Sequence, residues 1–162
     1  MICLSFILTG AYFSKQAKRR VFILERLSEL FSAFAFSAGS GGKDINNICK
    51  EICMLDKFEC FSFPESFLSS FYEGCDLCVM WCESIEKARE LNCLKNEERE
   101  ALKSFSQVFF VSGIDEFSDT CNRLSEKFRL LTALSHEQVL KNQKIFISGS
   151  VLAAAAFFII SF

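Results

Sequence analysis

The sequence holds 162 residues, 51% of them apolar and 20 of them Phe, with 18 Lys and Arg against 20 Asp and Glu for a net charge of -2. That length allows one soluble domain of ordinary size plus a flanking segment or two, and the near-balanced charge excludes the strong basic field of a nucleic-acid binder. Every Lys, Arg, Asp and Glu lies between Lys15 and Lys144, so two bare ends enclose a charged middle and the expected partners are membrane lipid and protein.

The chain opens with "MICLSFILTGAYFS", residues 1–14. As a helix this stretch reaches about 21 Å, short of a hydrocarbon layer of roughly 30 Å. Lys15, Lys18, Arg19 and Arg20 follow at once and can extend their stems to the headgroups. A signal peptide would carry its positive charge before the apolar run and a small-residue cleavage site after it. Neither is present, so residues 1–14 read as a retained membrane anchor.

Beyond it, Leu24, Leu27, Phe31, Phe34 and Ala38 form a helical stripe into which the anchor runs without a break. "GSGG", from Gly39 to Gly42, ends that helix. Asp44 is placed to cap a second one carrying Ile45, Ile48, Ile52 and Leu55 on one face. "SFPE", from Ser62 to Glu65, reads as a capping box with Pro64 in the first turn. It opens a third helix whose stripe runs through Leu68, Phe71, Cys75, Cys78, Cys82 and Ile85. Asn96, Glu97 and Glu98 open a fourth, with Leu102, Phe105, Phe109 and Ser112 on its face and Gly113 at its end.

The last helix begins near Asp115 and carries Phe117, Cys121, Leu124, Phe128 and Leu131 at alternating fours and threes. No Pro or Gly interrupts residues 114–148, so this helix and the final segment can form one rod. That segment, "IFISGSVLAAAAFFIISF" over residues 145–162, spans about 27 Å as a helix and reads as a transmembrane span. Gly149 with Ala153, and Ser150 with Ala154, supply small residues four apart that suit helix packing in a membrane. A core helix of a soluble protein is the bland alternative, but a run apolar on all faces favours the membrane.

One proline and no Asn-Gly or Asp-Gly turn argue against a sheet. The fold expected is all-α, a cytosolic bundle of five to six helices over residues 15–144 flanked by an N-terminal and a C-terminal transmembrane helix. The basic residues sit just inside each apolar segment, which places the middle in the cytoplasm and both termini outside. Nine cysteines, an odd number without framework spacing, fit a reducing compartment and read as free thiols.

Candidate chemistry is sparse. Cys75, Cys78 and Cys82 share a helical face and could hold a zinc ion or serve redox chemistry, but the same positions continue an apolar stripe, where a free Cys packs as a small hydrophobe. Cys49 and Cys53 read the same way. His136, the lone histidine, stands in a polar stretch without a nucleophile at triad-like spacing. "SAGSGGK" lacks the spacer and preceding strand of a phosphate loop. Two acidic clusters, Glu97, Glu98 and Glu100, then Asp115, Glu116 and Asp119, could dock a basic partner or simply complement helix dipoles. No cofactor is expected, and the chain does not read as an enzyme.

"EEREALKSFSQVFFVSGIDEFSDTCNRLSEKF" followed by "LKNQKIFISGSVLAAAAFFII" resembles the stage III sporulation protein AB family: a run of Leu, Phe and a small residue, an Asp-headed helix, and an Asn-x-Lys before the last span. The layout of the whole chain is similar. The resemblance implies a membrane component of the sporulation secretion complex between mother cell and forespore. It also implies a cytosolic domain like the inner-membrane platform protein of type II secretion systems. Such a platform docks a cytosolic secretion-type ATPase and membrane subunits without catalysis, and it allows a homo-oligomer. A metal or redox sensor built on Cys75, Cys78 and Cys82, or a generic two-span adaptor, are the alternatives.

Overall fold

The computed structural model describes residues 2–40, 45–70, 76–110 and 113–161, with the side chains of residues 14–40, 47–70, 76–108 and 113–142 and those of Ile145 and Gly149. Among the described residues the fold is all-α, and no strand occurs. Two long helices dominate: α1, Ile2–Gly39, and α6, Ile114–Ser161. At roughly 1.5 Å per residue they measure about 57 and about 72 Å. Each is a single rod, as the uninterrupted sequence predicts. The expected anchor helix and stripe helix are one element at the start of the chain, and the Asp115 helix runs on through the final segment at its end.

α1 and α6 pack as an antiparallel pair whose register is set by serines. Ser28 Oγ donates to the Ser125 carbonyl at 2.9 Å, and Ser125 Oγ returns a bond to the Ser28 carbonyl at 2.9 Å. Seven residues further along α1, the Ala35 carbonyl accepts from Ser118 Oγ at 3.3 Å, seven residues back along α6. Seven forward against seven back keeps one register along the pair. It sets Val21 against Thr132 and Ser14 against Val139, all small or β-branched, so the helix axes approach closely on this seam. The predicted stripes face inward beside it: Leu24, Leu27, Phe31, Phe34, Phe117, Cys121 and Phe128 are fully buried.

The chain between these rods packs against one half of the pair. It runs through α2 (Ile45–Cys53), a three-ten turn (Asp56–Phe58), α3 (Phe63–Ser69), α4 (Leu77–Lys87), a second three-ten turn (Arg89–Cys93), α5 (Asn96–Ser104) and a third three-ten segment (Phe105–Phe110). Phe105 joins the two layers. Its ring meets Phe31 at 4.9 Å, Phe117 at 5.8 Å and Trp81 at 5.2 Å. Trp81 in turn stands edge-on to Phe63 at 5.4 Å and Phe67 at 5.3 Å, and its indole N–H donates to the Leu102 carbonyl at 2.9 Å. The three-ten winding after α5 brings Phe105 and Val108 onto one face, because residues three apart eclipse in that geometry, and both are buried.

Four expectations are corrected. The third helix is two helices: α3 stops at Ser69, and α4 starts afresh from Asp76, whose carboxylate accepts from the Cys78 and Val79 N–H groups at 2.9 and 3.3 Å. Freed from the phase of α3, α4 turns Trp81, Ile85 and Ala88 into the core and leaves Cys78 and Cys82 half-buried. The capping box at Ser62 is not closed by Glu65. Glu90 takes that place from the second three-ten turn, accepting from the Ser62 N–H at 2.6 Å and from its hydroxyl at 3.0 Å. Leu55 lies beyond the end of α2 and is exposed. Asp44, Phe71, Cys75 and Ser112 lie outside the described residues.

No helix among the described residues is long and apolar enough to cross a membrane. The two expected spans, residues 1–14 and 145–162, fall largely on side chains outside those described.

Candidate functional site

The charged base and tip of the domain are built by opposite ends of the α1 and α6 pair. At the base, Arg20 of α1 reaches the first turn of α5. Its Nε donates to Glu98 Oε2 at 3.0 Å while a terminal guanidinium nitrogen pairs with Oε1, and the side chains are 14% and 2% exposed. Glu98 Oε2 also accepts from the Lys95 backbone N–H at 2.8 Å, closing the start of α5. A guanidinium fork on a carboxylate fixes both partners in orientation as well as charge.

This pairing corrects the acidic cluster at the start of α5. Glu97 and Glu100 are exposed, but Glu98 is turned inward and committed, so it presents nothing to a partner. It equally removes Arg20 from the exposed basic residues that follow the expected anchor. Glu100 shares the Lys103 ammonium, at 3.1 Å, with Glu86 of α4 at 3.0 Å. The Lys103 hydrogen bond and charge hold the Glu86 carboxyl below its ordinary value.

At the tip, Asp115, Glu116 and Asp119 occupy the first turns of α6, all exposed, and line a surface recess with Asn122 and Arg123. The α1 and α6 register sets this cluster beside Phe34 to Ala38, at the far end of the domain from Arg20 and Glu98. Three carboxylates within two turns, kept outside the core, form a compact negative face.

The cysteine constellation is only partly within view. Cys75 lies outside the described residues, Cys78 Sγ donates to the Ser106 carbonyl at 3.0 Å, and Cys82 Sγ lies 4.0 Å from Ser106 Oγ. Both described thiols are thus engaged by one residue of the three-ten segment after α5. Among the described residues, no three His, Cys, Asp or Glu side chains are grouped to hold a metal. His136 is exposed on α6. Burial raises the Cys53 thiol to about 12 and the Cys121 thiol further still, which suits packing rather than nucleophilic or ligand chemistry.

Gly149 is exposed, and a Cβ built on it meets nothing within 4 Å among the described residues. Ser150, Ala153 and Ala154 belong to the helix, but their side chains are outside those described.

Sequence reasoning separated Arg20 and Glu98 into two roles, a lipid-facing cation and a docking acid. The signal that unites them is the stripe itself. One turn before Leu24 and Leu27 stands Arg20, and one turn before Leu102 and Phe105 stands Glu98. Each charge therefore sits on a buried face, where an ion is tolerated only when paired.

The sequence model of the family described as Stage III sporulation protein AB (spore_III_AB) matches residues 1–162. No curated protein and no solved structure matches the chain.

Proposed function

The chain belongs to the stage III sporulation protein AB family, which implies a role in sporulation, and from that premise we propose that it is a non-catalytic membrane platform of the sporulation secretion complex. Its apolar ends anchor it in the mother-cell membrane facing the forespore, and the helical domain between them lies in the cytoplasm. The observation that carries this reading is the antiparallel register of α1 and α6, which brings the start of one helix and the end of the other to the same end of the rod. Two apolar segments side by side at one end of a charged domain are what a two-span hairpin requires.

The tip then becomes the surface that a cytosolic partner meets first. Asp115, Glu116 and Asp119 suit a basic face on a secretion-type ATPase, whereas Glu97 and Glu100 lie at the membrane-proximal base and suit contacts with membrane subunits. The small residues Gly149, Ser150, Ala153 and Ala154 of the last segment suit helix packing with those subunits or with a second copy.

The test is recovery of partners from sporulating cells with the full chain in mild detergent. The native chain should retain a secretion-type ATPase. Reversal of Asp115, Glu116 and Asp119 to Lys should release it, and reversal of Glu97 and Glu100 should not. Retention of the ATPase by the tip-reversed chain would overturn the assignment of the face, and its absence from the native chain would overturn the platform reading.

A further inference from the structure

We propose that the base of the helical domain is a binding surface for anionic phospholipid headgroups, formed by Lys15, Lys18 and Arg19 of α1, Lys95 from the turn before α5, and Lys141 of α6. The inference rests on the membrane-anchored reading above and adds to it the class of lipid and a residue remote from either apolar segment.

Lys95 is brought to the base by the Arg20 and Glu98 pair, because Glu98 binds both the guanidinium and the Lys95 backbone N–H. Two residues before Lys95, the Cys93 thiol is raised by burial and feels the opposing charges of Arg19 and Arg20. Lys15, Lys18, Arg19 and Lys95 are all exposed, and Lys141 is 69% exposed. Five residues separate Lys15 from Arg20, a rise of about 7.5 Å along α1. The polar layer of one leaflet is about 5–7 Å deep and the Debye length about 8 Å. With Lys15 at the edge of the hydrocarbon, Lys95 therefore stands within reach of the headgroups.

The acids at this level do not cancel the field. Glu98 is neutralised by Arg20, Glu100 is bonded to Lys103 at 3.1 Å, Glu137 offsets Lys141 at 2.8 Å, and Glu97 is the remaining carboxylate on the first turn of α5, which leaves Lys15, Lys18, Arg19 and Lys95 in excess. His136 is the other titratable group that the register sets opposite Lys15 to Arg20. Both long helices continue from here directly into apolar sequence, so the surface this patch meets is the headgroup layer itself. A cationic patch in that position is complementary to anionic lipid.

The experiment uses the full-length chain in a neutral detergent, with its thermal unfolding midpoint titrated with phosphatidylglycerol, phosphatidylcholine or inorganic phosphate. Phosphatidylglycerol should raise the midpoint at lower concentration than phosphatidylcholine, and the difference should vanish at high salt. Lys95→Gln should raise the half-saturating phosphatidylglycerol concentration about fivefold, the effect of one cation near a charged surface, with the lipid-free midpoint unchanged. Lys95→Arg should restore binding, and Lys127→Gln, an exposed position further up α6, should leave it intact. Equal action of the two lipids, an equal response to inorganic phosphate, or native binding by Lys95→Gln would overturn the proposal. Failure of the anchoring reading is separately visible, as release of the native chain from phosphatidylcholine vesicles by alkaline carbonate.

Discussion

Glu98 is an acid in a core position, and its cost is met only by Arg20 and the Lys95 N–H. Removing one partner leaves a buried charge alone, so Glu98→Ala is expected to destabilise the domain by about 3–5 kcal/mol. The joint replacement Arg20→Met with Glu98→Leu should be nearly neutral, since apolar side chains of similar size avoid the desolvation altogether. Urea unfolding of the chain in detergent distinguishes the two. The thiols give a pH dependence of definite sign. Burial raises Cys53 from the ordinary 9.0 to about 12 and Cys121 above it, so the fold favours the protonated form of both. Their contribution is complete below pH 9 and is lost as pH climbs through the raised values. Stability should therefore fall from about pH 9 upward, and Cys53 and Cys121 should resist alkylation at pH 8 in the folded chain.

The helices are ended by contacts of two kinds, local and remote. Asp76 is a local cap, holding two N–H groups at the start of α4, and Asp76→Ala should cost about 1 kcal/mol. Ser62 is held from a distance by Glu90, so Glu65→Ala should leave the unfolding midpoint in place while Glu90→Ala lowers it. The box pattern from Ser62 to Glu65 is legible in the sequence, yet it names the wrong acid, because a carboxylate from a neighbouring turn fits the same N–H. Asp76 was legible as well, but a continuous count of threes and fours from Leu68 to Ile85 hid it. Between α1 and α6, the paired serine bonds need two backbones in close approach. Ser28→Leu should wedge them apart at a cost of about 1–3 kcal/mol, read by the same urea titration.

Over the whole molecule, Phe105 ties the long pair to the short helices through Phe31, Phe117 and Trp81. Its replacement by Ala should cost about 3–5 kcal/mol and loosen both layers together, giving one unfolding transition followed equally by Trp81 fluorescence and helix signal. The sequence by itself determined the helical class, the two uninterrupted rods and the stripes of Leu24 to Ala38 and Phe117 to Phe128. Each of these follows from the 3.6-residue repeat and the scarcity of Pro and Gly, which act along the chain. It also determined that Asp115, Glu116 and Asp119 lie outside the core, since they fall off the apolar stripe of α6. Only the tertiary structure decided that α1 and α6 run antiparallel, and that Glu98 belongs to Arg20 rather than to a partner. It alone moved Trp81 into the place the pattern had given to Cys78 and Cys82, and brought Lys95 to the base through Glu98 and Arg20. Those four outcomes depend on which faces meet across long stretches of sequence, and a helical repeat fixes a face without specifying what will cover it.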